Sequence, residues 1–338
     1  MVLCLLAFLL AAPVSADAAP AAEPPPLRQV DKAFGRPAEI EVRGLPAEAA
    51  REAMSRAFAQ ITETERLTDG ARPDGALALL NAAAGKGPQT VDPHLLAMLG
   101  RASDFCSWSE GASGPLGRDL YALWGLRSAV ADPPTPEQVG KAAALTTCSR
   151  LTLSPEKGMA ELAAGSGLDL WGFAEGLAVD GAVEALRQGG VANGFVRVGS
   201  VQRGFGDGPG GKGWPVALPQ LPGLAEPADH LFLRDRALAV ASAADHPLAA
   251  ATPPAGAAAP YLSQRTGRPP EGVLAAAVMT ESAADAQGLA TSLFILGPRE
   301  GQVRMGTLSP RPSVLWFLGS GAGEPVQVGY RWSEVGRR

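Results

Sequence analysis

Histidines, cysteines and glycine runs are the first places to look for chemistry in this chain, and they do not converge. His94, His230 and His246 are its only histidines, and none lies in an H-E-x-x-H or other metal-ligand spacing. Gly204-Phe205-Gly206-Asp207-Gly208-Pro209-Gly210 has the glycine density of a phosphate-cradling loop. It lacks the Gly-Lys-Ser/Thr ending and does not open a helix, so a hairpin turn is expected there. The Gly-x-Ser-x-Gly elbow of serine hydrolases is absent. Cys106 and Cys148 can form one disulfide in an oxidising compartment or stand as two buried thiols. With no Cys/His cluster, zinc is disfavoured. Cys4 lies near the start of the apolar run of the N-terminus, whereas a lipidated cysteine follows one.

Any site must be positioned by a chain of 338 residues, 46% hydrophobic, enough for one large domain or two joined lobes. The net charge of -5 and the scattered basic residues exclude a nucleic-acid binder, which needs a concentrated basic face. Val2 to Ala12 is uninterrupted apolar sequence, and Val14 and Ala16 fit a signal-peptidase site. Residues 1–16 are therefore expected to be a signal peptide, too short to anchor in a bilayer. Residues 17–30 are expected to be an Ala/Pro-rich linker and residues 31–338 the domain. The expected location is the periplasm, with membrane contact only through the signal segment.

Within the domain, Ile40 and Val42 alternate with Glu39 and Glu41 as in a strand. Helical spacing of Ala50, Met54, Phe58 and Ile61 predicts a helix over 46–67. Further helices are expected at 77–81, 92–107, 134–144, 155–165, 173–188 and 283–294, the fifth of these stopped by Gly189-Gly190. Strands are expected at 195–201, within 231–241 and at 274–280, and an Ala/Pro insertion without a packing face at 253–260. Strands and helices do not alternate regularly, which favours α+β over a doubly wound parallel sheet.

Ordered segments carry a resemblance. Gly111-Ala112-Ser113-Gly114-Pro115 followed by Leu120 to Gly125 resembles GAFDPTVGPLVRLWG, and Arg72-Pro73-Asp74 through Leu80-Asn81 resembles RPDSELSRLN. Asp169-Leu170-Trp171-Gly172-Phe173-Ala174-Glu175-Gly176 through Asp180 resembles DLGGIAKGYAVD. Arg265-Thr266-Gly267 resembles the end of HIIDPRTG, and residues 286–297 resemble ADALSTALFVLG. Five segments in order resemble the FAD:protein FMN transferase family. The resemblance implies a T-fold-like α+β architecture, with mixed or antiparallel sheets packed with helices. It also implies an activity: FAD is split, FMN is placed on a Ser or Thr hydroxyl of an exported redox protein, and AMP is released.

Phosphoryl chemistry of that kind needs a divalent ion, and Mg²⁺ takes oxygen ligands. The family supplies an Asp and a Thr four residues apart on one helix and a backbone carbonyl; the resemblance carries these to Gln287, Thr291 and Ala174. It likewise marks Gly111, Ala112, Asp180, Gly199 and Ser242 as flavin-nucleotide-binding positions, and no residue is assigned as catalytic. A Gln amide brings no charge to a cation. Asp285 lies about 200° around the helix from Gln287 and does not replace it. Other positions depart as well: Glu175 stands for Lys, Arg36 for the Thr of Met-Gly-Thr, Arg197 for Asn, and Gly199-Ser200-Val201 for Gly-Gly-Asp. Pro260, Ser263 and Gln264 stand for the His and Asp-Pro of HIIDPRTG, and Ser113-Gly114 for Phe-Asp.

Structural readings stand beside these. Thr291 is either a metal contact or a helix hydroxyl bonded to a preceding carbonyl. Asp180 caps a turn or binds ligand, and Asp169 is an expected N-cap for the helix at 172–188. Trp124 and Trp171 are expected in the core. Two functions follow: an FMN transferase acting on FAD and an exported flavin-accepting protein, or a catalytically inactive relative binding a flavin nucleotide or a protein.

Overall fold

The computed structural model describes residues 24–127, 130, 132–218, 230–244, 260–319 and 324–335. The expected signal peptide, the linker up to residue 23, His246 and the insertion at 253–259 lie outside them. In chain order the elements are β1 (Leu27–Ala33), β2 (Arg36–Arg43), α1 (Ala47–Thr68), α2 (Ala76–Ala82), β3 (Gln89–Thr90), α3 (Pro93–Trp108), α4 (Arg118–Leu123) and α5 (Pro136–Ala143). There follow β4 (Leu151–Ser154), β5 (Met159–Leu162), α6 (Ala174–Gln188), β6 (Asn193–Val198), β7 (Val201–Phe205), β8 (Trp214–Ala217) and β9 (His230–Leu233). The last are β10 (Arg236–Ser242), β11 (Val273–Thr280), α7 (Ala283–Met305), β12 (Ser313–Leu318) and β13 (Val326–Tyr330).

Eight of these strands form one antiparallel sheet in the order β1-β2-β6-β7-β10-β11-β12-β13. Alternation gives β10, β11 and β12 an apolar set on each face. Ala38, Ile40 and Val42 of β2, Val196 and Val198 of β6, and Val314 and Trp316 of β12 join the core shared with α1, α6 and α7. On the other face Leu238 and Val240 of β10, Met279 of β11 and Phe317 of β12 meet Trp214 and Leu233 of the β8–β9 pair. The fold is α+β with antiparallel sheets packed with helices, as the sequence implies.

Local chemistry explains the site-bearing helices. Asp92 caps α3 by accepting the N–H groups of His94 and Leu95, with Pro93 at the first helical position. α6 and α7 cross closely at Gly176, where an added Cβ would sit 2.5 Å from the Ala283 carbonyl oxygen. α7 is interrupted at Gly297, whose φ of 65° is followed by Pro298.

Several expectations are corrected. β1 begins at Leu27, inside the stretch 17–30 read as linker, because it pairs along β2 from Leu27 to Ala33. Residues 155–165, read as helical, form a 3₁₀ turn and then β5, whose Ala160 and Leu162 are buried as it pairs with β4. The tight hairpin turn is Gly199-Ser200 between β6 and β7, not the glycine-rich segment, whose Gly204 and Phe205 belong to β7. β12, β13 and α4 were not anticipated. Cys106 of α3 and Cys148 ahead of β4 form a disulfide, with Cα atoms 5.8 Å apart.

Candidate functional site

Three pieces of backbone meet where the departures from the family pattern gather: the first turn of α6, the middle of α7, and the Gly199-Ser200 turn with the start of β2. Between them lies a cavity of about 10 Å³ lined by Arg36, Trp171, Gly172, Glu175, Gln287 and Thr291, among others. Glu175 is 4% exposed, and the Arg36 Nε stands 3.3 Å from its Oε1. Gln287 Oε1 accepts the backbone N–H of Gly176 at 2.8 Å, and its Nε2 faces Glu175 Oε2 at 3.4 Å. Thr291 Oγ1 donates to the Gly172 carbonyl at 3.2 Å, a bond across to the α6 approach rather than back along its own helix. Gly199 is favoured as glycine: its φ is 56°, and a Cβ would lie 2.7 Å from Arg36 Cδ and displace that side chain.

These groups do not fit magnesium. Among its described lining residues the site holds one carboxylate, and it faces a guanidinium. The Gln287 oxygen is taken by a backbone N–H. Room for about one water is too little for an ion that keeps several of its own. Ala174, the third expected ligand, lines a neighbouring cavity instead, and as the first residue of α6 its carbonyl points along the helix. Among the described residues, no three His, Cys, Asp or Glu side chains are grouped to hold a metal ion. Asp285 faces away, paired with Arg101 of α3, as its position on the helix required.

Trp171 divides the site from that neighbouring cavity, which has a volume of about 430 Å³. Its ring lies 5.1 Å from Tyr261, with the Arg36 guanidinium at 6.0 Å and that of Arg127 at 5.5 Å. Trp171 is thus a partition between cavities, only partly buried. Trp124 donates its indole N–H to the Gly267 carbonyl at 2.8 Å, a packing role as expected. On the far wall Arg127 pairs with Asp169 at 2.5 Å and lies over Tyr121. Burial, with the Asp169 charge adding to it and Arg127 opposing, pushes the Tyr121 hydroxyl up to about 12.

A third cavity, of about 720 Å³, opens on the sheet face away from the helices. Gly199 and Ser242, both expected flavin-nucleotide positions, lie on it, and Arg36 is shared with the small cavity. Its lining residues Glu39, Arg197 and Gln202 stand on one rung of cross-strand neighbours that runs from Val30 of β1 to Leu238 of β10. Glu39 accepts from Arg28 Nε at 2.5 Å and from Arg197 Nη2 at 2.5 Å. Burial alone would raise the Glu39 carboxyl, but the Arg28 hydrogen bond and the Arg197 charge outweigh it and hold it below its ordinary range.

The remaining expected positions do not join this site. The Asp180 carboxylate caps α7, accepting from the N–H groups of Ala283 and Ala284 and from Ser282 Oγ, and it pairs with Arg203. Gly111 lines a separate cavity beside the disulfide, and Ala112 is fully buried, its carbonyl accepting from Gln264 N–H at 2.9 Å. Asp169 is not the N-cap of α6, whose cap is Phe173; it accepts from Trp171 N–H at 2.9 Å four residues earlier. Sequence reasoning missed Arg28, and it took Glu39 only as part of a polar strand face. The available signal was a carboxylate and two arginines on the same side of adjacent strands.

Residues 34–310 match the model of the ApbE family. A FAD:protein FMN transferase of Treponema pallidum is 34% identical over 152 residues, covering 42% of this chain and 41% of that protein. One of Rhodobacter capsulatus is 30% identical over 192 residues, covering 55% and 36%. The chain therefore spans less than half the length of either curated relative. Among solved structures, the flavin transferase ApbE of Vibrio cholerae superposes with a TM-score of 0.78 at 21% identity, over 90% of this chain and 97% of that one. The ApbE protein of Thermotoga maritima gives 0.80 at 19% identity, over 92% and 98%. At such identities these two show the fold alone.

Proposed function

The chain belongs to the ApbE family, and from that premise we propose that it is an exported flavin-nucleotide-binding member that does not carry out magnesium-dependent FMN transfer. One observation carries this reading: the Arg36 guanidinium, 3.3 Å from Glu175, faces the only carboxylate among the described lining residues of the cavity where Gln287 and Thr291 meet. A guanidinium there supplies positive charge but not the Lewis acidity with which a metal polarises a phosphoryl oxygen. It repels a second cation at the same place, so binding without turnover follows. The Cys106–Cys148 disulfide supports export, since such bonds persist in oxidising compartments, and the periplasm is the location proposed.

The second reading is the activity named for the two curated relatives, transfer of FMN from FAD to an exported acceptor. It is favoured by Gln287 and Thr291 standing one turn apart on the same cavity. One experiment separates the two readings. The mature chain is incubated with FAD, Mg²⁺ and a flavin-accepting protein, beside an active family member, and the gel is read by flavin fluorescence. No fluorescent acceptor band is expected, while FAD or FMN binds in EDTA. A band above background overturns the proposal.

A further inference from the structure

We propose that Arg28 and Arg197, set by Glu39 on the open sheet face, clamp the phosphate group of a nucleotide-sized ligand without a metal ion. The clamp deepens the binding reading and rests on it for the choice of a nucleotide. Two guanidinium groups share one carboxylate, which leaves an excess positive charge at the cleft. The next acidic residue along the strand, Glu41, stands opposite Arg28 in the register and its charge acts there, but it also pairs with Arg43 at 3.5 Å, so three arginines face two carboxylates. Glu39 is 6% exposed, while the side chains of Arg28 and Arg197 are 57% and 42% exposed. The buried carboxylate is therefore an anchor, and the guanidinium forks stand at the mouth of the cleft. Each guanidinium carries five N–H donors, and Glu39 engages one nitrogen of each. The planar fork matches phosphate oxygens in pairs.

The rest of the cleft suits an organic phosphate better than a free ion. Its volume, about 720 Å³, lies in the range of cofactor sites. Phe195, Pro215, Val216 and Val240 give the cleft an apolar part beside the arginines, and Ser200 adds a hydroxyl. Such a cleft takes a ring against its apolar residues and an anion at its arginines. No carboxylate besides Glu39 is among its described lining residues.

The test is calorimetric titration of the mature chain with FMN, in EDTA and in Mg²⁺, for the wild type and for R28Q/R197Q. The clamp predicts wild-type binding that Mg²⁺ leaves unchanged and that the double variant weakens by about tenfold or more. R197K, which keeps charge but loses the fork, should fall between. Equal FMN binding by wild type and double variant overturns the clamp and leaves the binding reading standing. If neither FMN nor FAD binds the wild type, the binding reading fails, and titration with inorganic pyrophosphate decides the clamp. Pyrophosphate binding lost in R28Q/R197Q supports it; no binding to the wild type overturns it. Should the double variant not fold by circular dichroism, R28Q alone, at the more exposed side chain, carries the same comparison.

Discussion

Gln287 accepts the backbone N–H of Gly176 at 2.8 Å, which makes it a strut between α7 and α6. Gly176 is also a point of close approach between the two helices, so the strut secures a contact that tolerates no side chain. Gln287→Asp shortens the reach by one methylene and sets a second carboxylate beside Glu175. The variant should lose about 1–3 kcal/mol, as an unsatisfied buried donor costs. Added Mg²⁺ should not restore it while Arg36 remains. Combined with Arg36→Thr, the same change should give a melting temperature that rises with Mg²⁺ and falls with EDTA. Magnesium rescue of the single variant would show that Arg36 does not occupy the cation position.

Asp180 holds α7 from outside it. Its carboxylate accepts the first N–H groups of the helix and pairs with Arg203 of β7. Removing it strands two donors and an arginine whose side chain is 16% exposed. Asp180→Ala should cost about 2–4 kcal/mol in denaturant unfolding, more than a surface cap because a partly buried charge also loses its partner. Asp180→Asn, which still accepts hydrogen bonds, should cost about half as much. If the two variants unfold at the same midpoint, the Arg203 pair contributes nothing.

Much of the fold was legible because periodicity and punctuation agree. The apolar spacing of α1, the Asp92-Pro93 start of α3 and the Gly189-Gly190 stop after α6 each rest on local rules, and each element lies within a residue or two of its expected place. Two of the failures are strands whose identity comes from a partner. β1 is largely exposed and polar and exists by pairing with β2, and β5 exists by pairing with β4. The site was legible in reverse. Arg36, Glu175 and Gln287 stood out as departures, and all three line one cavity. What the sequence did not reveal was their mutual compensation, an arginine facing a glutamate from a segment 139 residues away by the numbering of the pair. Arg28 was silent because no motif covers β1.

The disulfide should matter more than the partial exposure of Cys148 suggests. It joins cysteines 42 residues apart, so reduction releases a long loop in the unfolded chain. It also fixes the end of α3, where Cys106 is 1% exposed, against the segment leading to β4. The Cys106→Ser, Cys148→Ser double variant should unfold about 2–4 kcal/mol earlier. Wild type in excess dithiothreitol should match it. A reduced protein as stable as the oxidised one would mean that packing around Cys106 alone holds this corner.

The Glu39 clamp also fixes a pH dependence. Its carboxyl is held below the ordinary value of about 4.3 by the Arg28 hydrogen bond and the Arg197 charge, which together exceed the opposing effect of burial. The unfolded chain therefore takes up a proton at this residue before the folded one does. The stability it contributes is present above about pH 4.3 and is lost as pH falls through the lower folded value. Glu39→Gln removes that dependence. The variant should be less stable than wild type at pH 7, by about 1–3 kcal/mol given the exposure of both arginines. The gap should narrow on acidification to about pH 3. Denaturant midpoints of both proteins across that interval measure it. A gap of constant size would show that Glu39 supports the fold by shape and hydrogen bonding alone, and that the arginines at the mouth of the cleft are not set by its charge.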